Sequence, residues 1–318
     1  IAAMTLSLWP ALRRAGVDLR FRFEPRHPAV RRAARLSSWT LGYVIANQVA
    51  VQVVSILAKP GTGGVQNYQT AFQFFQLPHG LLAVSIMVTF EPMLGRAHAR
   101  RDDAEYDRQL LLGFRLIGLL VVPAAAAYLA LPGGLSHRTF TAHGGVAHGL
   151  ELVPIVAAFA IGLPGFSSYL YALRGFYALK DTRVPFYVNL FENGVNIVVA
   201  IAFVRWWGVV GLALAYSVAY TVAAVAAVAL LARRRPGFDW RSLAGTWANL
   251  LVAGAGMGAM VWAVAAVVAP GSPAVLVPTI LGGAVLGGVA YLGAVTFLRV
   301  PGLDGVLERL PGLRRLAR

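Results

Sequence analysis

The chain contains no cysteine among its 318 residues. That excludes disulfides and thiolate metal sites. Charge is scarce too: Asp, Glu, Lys and Arg make up 13% of the residues against 58% hydrophobic, about half the charged share of a soluble domain. Acids are scarcer still, 13 against 28 Lys and Arg, which leaves a net charge of +15. The basic residues lie in short clusters between apolar runs, with no basic domain, and this excludes nucleic acid as a partner. There is no GxxxxGK[ST] loop, no GxSxG and no HExxH, so neither an ATP-driven pump nor an enzyme is indicated. His137, His143 and His148 share a stretch whose nearest acid is Glu151, too sparse for a metal centre. No internal repeat or low-complexity tract is visible, and no signal peptide.

What the sequence does have is long apolar runs. Eight span 38–58, 66–91, 109–131, 149–173, 184–204, 208–232, 245–268 and 275–298. About 20 apolar residues cross the hydrocarbon core as a helix, and helix is the form that satisfies every backbone group within its own segment. The expected fold is all-α, a polytopic membrane bundle of about eight full transmembrane helices. Residues 1–12 read as the last turns of a further membrane helix, and the chain as the C-terminal part of a longer protein.

The Lys and Arg positions set the topology. The stretches 13–37, 92–108, 174–183, 232–244 and the tail after 298 hold 24 of the 28 basic residues, and Arg115 lies close to the same side. The opposite loops hold Lys59, Arg138 and Arg205. The rich side is cytoplasmic by the positive-inside rule, which puts the C-terminus in the cytoplasm. The eight basic residues of 13–37 make a connector on the inner surface that anionic membrane lipids attract. The acids Asp102, Asp103, Glu105 and Asp107 mark the start of the next helix, where its dipole favours negative charge.

Polar residues inside spans mark packing contacts or a hydrated path. Gln66, Gln69, Gln73 and Gln76 recur every three or four residues and share a helical face. That face meets a substrate cavity or a neighbouring helix. Asn47, Gln48 and Gln52 add amides in the preceding span. Asn189, Glu192, Asn193 and Asn196 share a face of the fifth span, and Glu192 is the one acid well inside any span. A buried carboxylate needs a cation, a proton or a hydrogen-bond donor, so it is either an ion- or proton-coupling site or a neutral bridge between helices. Tyr216, Ser217, Tyr220 and Thr221 place hydroxyls at helical spacing. Pro154, Gly162, Pro164 and Gly165 predict a bent or broken fourth span. Gly254/Gly258 and Gly283/Gly287 fit close helix packing. Glu91, before Pro92, reads as a helix-terminal residue near water.

Three stretches together resemble one family: Asn67 to Ser85 with Glu91 to Gly95, the apolar helix Leu116 to Pro132, and the short basic turn within Leu170 to Pro185 (LYALRGFYALKDTRVP). They are similar to the MurJ/MviN family, in an actinobacterial-like form, within the wider MOP exporter superfamily. The resemblance covers residues 1 to about 232 well and the last two spans by position and hydropathy. It implies the end of a preceding membrane helix and a basic linker over 1–37, a six-helix second lobe over 38–232, a terminal helix pair over 233–298 and a basic tail over 299–318.

The implied activity is alternating-access flipping of lipid II, the lipid-linked peptidoglycan precursor, to the outer leaflet of the bacterial plasma membrane, with cell-wall synthesis proteins as further partners. Alternatives are an exporter of another lipid-linked oligosaccharide and a non-transporting scaffold for cell-wall synthesis. The resemblance puts Gln52, Gln69, Gln73 and Gln76 on the substrate cavity. Gln73 stands where many members carry a cavity arginine. Asn47, Asn189, Asn193 and Thr221 fall at the sodium positions of some members, with Glu192 as a substitute acid. Arg174, Lys180, Asp181 and Arg183 form the cytoplasmic gate or turn. No cofactor is implied beyond a coupling cation (Na+ or H+) or the membrane potential.

Overall fold

The computed structural model describes Arg14 and residues 27–59, 63–130, 146–267 and 273–298. The readings of 1–12, of the linker before His27, of Arg138 and the histidine-bearing stretch, and of the tail after Leu298 lie outside the described residues or side chains. The chain divides into two compact units, Ile1–Leu41 and Gly42–Arg318. In the first, the described backbone enters a helix at Pro28, with Arg31 N–H bonded to His27 C=O at 3.1 Å. Proline fits a first helical position because its missing N–H has no intrahelical partner there.

The described elements are helical. They are α1 Pro28–Leu57, α2 Gly64–Pro78, α3 Val84–Ala99, α4 Asp103–Ala130, α5 Val146–Ala178, α6 Arg183–Arg234, α7 Trp240–Val267 and α8 Pro273–Phe297. Six stretches of the described residues are long and apolar enough to cross a bilayer, with α2 and α3 forming one of them. Large apolar side chains such as Leu81, Val88, Val198, Val225 and Val252 stay exposed, as expected where the surrounding solvent is lipid.

α6 has 52 residues, about 78 Å if straight, yet its two ends meet. Arg234, its last residue, pairs with Asp181, two residues before its first. The reversal is at Gly208, with φ 54° and ψ −131°, a conformation essentially reserved for glycine. α6 is therefore a hairpin of two membrane-length helices, as the separate runs 184–204 and 208–232 predict.

The second span is continuous from Gly64 to Ala99 but contains a π turn, His79–Ala83. Pro78 cannot donate to the carbonyl of Phe74, four residues back. The Tyr128 hydroxyl of α4 donates to that carbonyl instead, at 2.7 Å. The expected break in the fourth span is absent: α5 is one helix of 33 residues with Pro154 and Pro164 inside it. Its glycines serve packing, since they let α6 approach. The stretch 92–108, read as a loop, is mostly helix, with a turn only at 100–102. Asp102 Oδ1 accepts the Glu105 N–H at 3.0 Å, which makes it the cap of α4.

α5 runs through the core of the second unit. Its Phe159, Tyr169, Tyr171 and Phe176 are fully buried against α2, α3, α4 and α6. A second cluster joins Leu119 and Val122 of α4 to Leu250 and Met257 of α7 and Tyr291 of α8. The Gly254/Gly258 pair packs on Val122 and Ala126 of α4, and Gly283/Gly287 packs on α7.

Candidate functional site

Polar side chains that four different helices carry into the apolar bundle converge on one cleft. It has a volume of about 290 Å³ and is walled by α1, α2 and both halves of α6. Gln69 and Gln73 line it from α2, Asn47 from α1, Asn193 and Asn196 from the first half of α6, and Tyr216 and Tyr220 from the second. Tyr68 and Phe72 complete an aromatic wall: Phe72 and Tyr216 lie edge to face at 5.5 Å, and Tyr216 and Tyr220 are 4.3 Å apart. Gln69 and Gln73 are exposed. No Lys, Arg, Asp or Glu is among the lining residues. Gln52 and Gln76, expected in the same cavity, do not line this cleft. The period of the α2 stripe identified Gln69 and Gln73. The place of Tyr68 and Asn196 on the cleft depends on which faces of α2 and α6 oppose each other, and no local pattern shows that.

Behind the cleft the asparagines meet. Asn189 Nδ2 and Asn193 Nδ2 both donate to Asn47 Oδ1, at 3.3 and 3.2 Å, and Asn193 Nδ2 also donates to the Asn189 carbonyl at 2.9 Å. Thr221 does not join them: its hydroxyl donates to the Ser217 carbonyl at 2.7 Å. Asn47 Oδ1 thus accepts two amides, while Asn189 Oδ1 has no hydrogen-bond partner. Glu192, beside them on α6, is completely buried, and neither of its oxygens has a hydrogen-bond partner.

The basic turn is a capped junction. Arg174 is still helical and pairs with Glu91 of α3 at 2.7 Å, so Glu91 is half of an interhelical ion pair. Lys180 takes φ 58° at the corner. Asp181 Oδ1 accepts the backbone N–H groups of Arg183 and Val184, at 2.8 and 3.2 Å, and caps α6. Its other oxygen holds Arg234. Partial burial works against the Asp181 carboxylate, but Arg234 and the two N–H groups outweigh it and hold its pKa below the ordinary value. A carboxyl whose folded pKa lies below its unfolded one stabilises the fold above the unfolded value. That contribution is lost as pH falls below about 4, through the folded value. Asp181→Asn should lower the melting temperature at pH 7 and flatten its further fall between pH 5 and 3. Thermal unfolding in detergent tests this; an undiminished acid-induced fall in the variant would discard it.

A second cavity, of about 490 Å³, lies between α4, α5 and α7 and is lined by residues such as Val122, Ile161, Leu251 and Trp262. It is almost wholly apolar. Together the fold and the two cavities define a multi-pass membrane protein with a polar cleft and an apolar groove between its helices.

The family model for the lipid II flippase MurJ matches residues 1–282. The chain belongs to the MurJ family. The lipid II flippase MurJ of Burkholderia cenocepacia is 30% identical over 162 residues, covering 50% of this chain and 31% of that protein. A probable lipid II flippase MurJ of Rhizobium tropici is 28% identical over 252 residues, covering 79% and 47%. A solved lipid II flippase MurJ in an inward closed conformation superposes with a TM-score of 0.68 at 20% identity, covering 92% of this chain and 59% of that one. It supports the fold. The chain thus spans less than half the length of these two relatives.

Proposed function

We propose that this chain acts as part of a transporter that moves lipid II from the inner to the outer leaflet of the bacterial plasma membrane by alternating access. One observation carries the reading: in a chain of the MurJ family, amides and tyrosines, Gln69 and Gln73 exposed among them, converge on a cleft at membrane depth. Such groups are costly there unless they meet water or a polar ligand. The apolar groove of α4, α5 and α7 offers a surface for the lipid chain. The excess of Lys and Arg on one side orients the protein with its C-terminus in the cytoplasm. Nothing in this reading requires a chemical step; the work is binding and conformational exchange.

Glu192 is the proposed coupling group. A buried carboxylate with no donor needs a proton or a cation, and exchanging it as the bundle opens would link the cycle to an ion gradient. The test is lipid II on the outer leaflet of cells depleted of the full-length protein. Wild type should restore it, and Glu192→Gln should restore it at least about tenfold less well, about 1.4 kcal/mol in the limiting step. Unchanged outer lipid II on depletion would remove the reading. Export of another lipid-linked oligosaccharide would show instead as loss of a surface polymer without lysis on depletion. Full complementation by a combined Gln73, Glu192 and Asn193 variant would instead favour a scaffold.

A further inference from the structure

We infer that the π turn His79–Ala83 is a pivot in the second span, and that Tyr128 is a positioning residue which, through the Phe74 carbonyl, sets how far α2 leans over the cleft. The inference rests on the transport reading only for what the motion serves.

The first ground is the backbone. Within two turns the hydrogen-bond ladder steps from tight to wide. The His79 N–H bonds the Gln76 carbonyl, three residues back, and the Val84 N–H bonds the His79 carbonyl, five back. Pro78, just before the turn, supplies no N–H at all. Helices bend at prolines and π turns because the regular ladder is interrupted there. Glycine weakens a helix relative to alanine, yet a Cβ at Gly80 would meet nothing within 4 Å. Packing therefore does not require the glycine that sits in this turn.

The second ground is the difference between the two arms of the span. The inner arm is clamped: α3 buries Met87, Phe90, Leu94 and Ala97, and its Glu91 holds Arg174 of α5 at 2.7 Å. The pivot is held as well. His79 is buried, and its Nδ1 shares a hydrogen bond with Ser167 Oγ of α5 at 3.0 Å. The outer arm, α2, borders open space instead. Its Tyr68, Gln69, Phe72 and Gln73 line the cleft of about 290 Å³, which leaves it room to move towards α1 and α6. Phe75 keeps the root of the arm against Phe159 and Phe166 of α5. A swing about that root slides Tyr68 and Phe72 over Phe159 and Tyr216 and changes the width of the cleft.

The third ground is Tyr128. Its hydroxyl donates at 2.7 Å to the Phe74 carbonyl, the one that Pro78 cannot serve. Phe74 is on the moving arm, next to Gln73. Tyr128 is on α4, which contributes no residue to the cleft. The bond therefore tethers the arm from outside the cleft. Made, it holds Gln69 and Gln73 back; broken, it lets the arm close towards α1 and α6.

The experiment is double electron–electron resonance on the full-length protein in nanodiscs. This chain has no cysteine, and any elsewhere in the protein is replaced, so spin labels go only where cysteines are introduced at exposed positions. An outer pair, Gln66→Cys/Leu129→Cys, reads the moving arm against α4, and an inner pair, Val88→Cys/Leu120→Cys, reads the clamped arm against α4. With Tyr128 and Pro78 intact, the outer pair should give two distances and the inner pair one. Tyr128→Phe should shift the outer ratio about fivefold towards the longer distance, as expected for one lost hydrogen bond. Pro78→Ala restores an N–H to the Phe74 carbonyl from within the helix, so in that background Tyr128→Phe should leave the ratio unchanged. Pro78→Ala/Gly80→Ala should merge the two outer distances into one. A Tyr128 that serves only packing would lower the melting temperature in both backgrounds and move neither distance. A single outer distance with both residues intact, or a Tyr128→Phe effect that is absent or equally large with Pro78→Ala, would overturn the inference. Two outer distances in a protein whose depletion leaves outer lipid II unchanged would retain the pivot and remove the lipid II reading.

Discussion

Arg235→Ala should destabilise the protein by about 3–5 kcal/mol, the usual result of stranding one partner of a buried ion pair. Only 13% of the Arg235 side chain is exposed, and 10% of that of Asp107. Nε donates to Asp107 Oδ1 at 2.9 Å, Nη1 to Asp103 Oδ1 at 2.8 Å and Nη2 to the Asp103 carbonyl at 3.0 Å. The guanidinium also lies 4.7 Å from the centre of the Tyr106 ring. Burial works against its charge, but the two aspartates outweigh it and hold its pKa above the ordinary value. One side chain thus fastens the end of α6 to the first turn of α4. Alanine leaves Asp107 with no cation, and Gly237, whose added Cβ would lie 2.7 Å from Asp107 Oδ2, shows how little room there is for the carboxylate to move. Arg235→Met/Asp107→Leu should recover much of the loss, because it removes the stranded charge along with its partner. The measurement is the unfolding midpoint in detergent. A double variant no better than Arg235→Ala would show that Asp107 is not what makes the single change costly.

Gly162→Leu is expected to cost more than about 3 kcal/mol, beyond the usual range for overpacking. A Cβ at Gly162 would run into the backbone and side chain of Ser217, and one at Gly165 into Thr221. These are small-residue contacts of the kind that let membrane helices touch closely. Close approach is also what lets Ser217 Oγ donate to the Ala158 carbonyl at 2.6 Å. A leucine would push the second half of α6 off α5, and with it Tyr216 and Tyr220, which form one wall of the cleft. Both a lower melting temperature and weaker ligand binding should follow. Gly95→Ala, at a helical glycine with nothing within 4 Å of its added Cβ, should be close to neutral. Equal stability for Gly162→Leu and Gly95→Ala would refute the packing argument.

The sequence by itself determined that this chain crosses a membrane many times, and nearly where. Burying a polar backbone in lipid leaves so few options that length and hydropathy suffice, and the runs 184–204 and 208–232 are indeed two helices that reverse at Gly208. The period of Gln66 to Gln76 and of Asn189 to Asn196 gave the polar faces, because helical spacing is local. The family was legible in Leu170 to Pro185 and Asn67 to Ser85. The sequence could not show which faces oppose each other. Gln69 and Gln73 reached the cleft while Gln52 and Gln76 did not. Thr221 bonded within its own helix, and Glu91 found Arg174 across the bundle. Pro154 and Pro164 stayed within one helix, whereas Pro78 led into a π turn whose displaced carbonyl is met by Tyr128 from another helix. Each of these outcomes depends on partners far away in the chain, and those distances are set only when the helices pack.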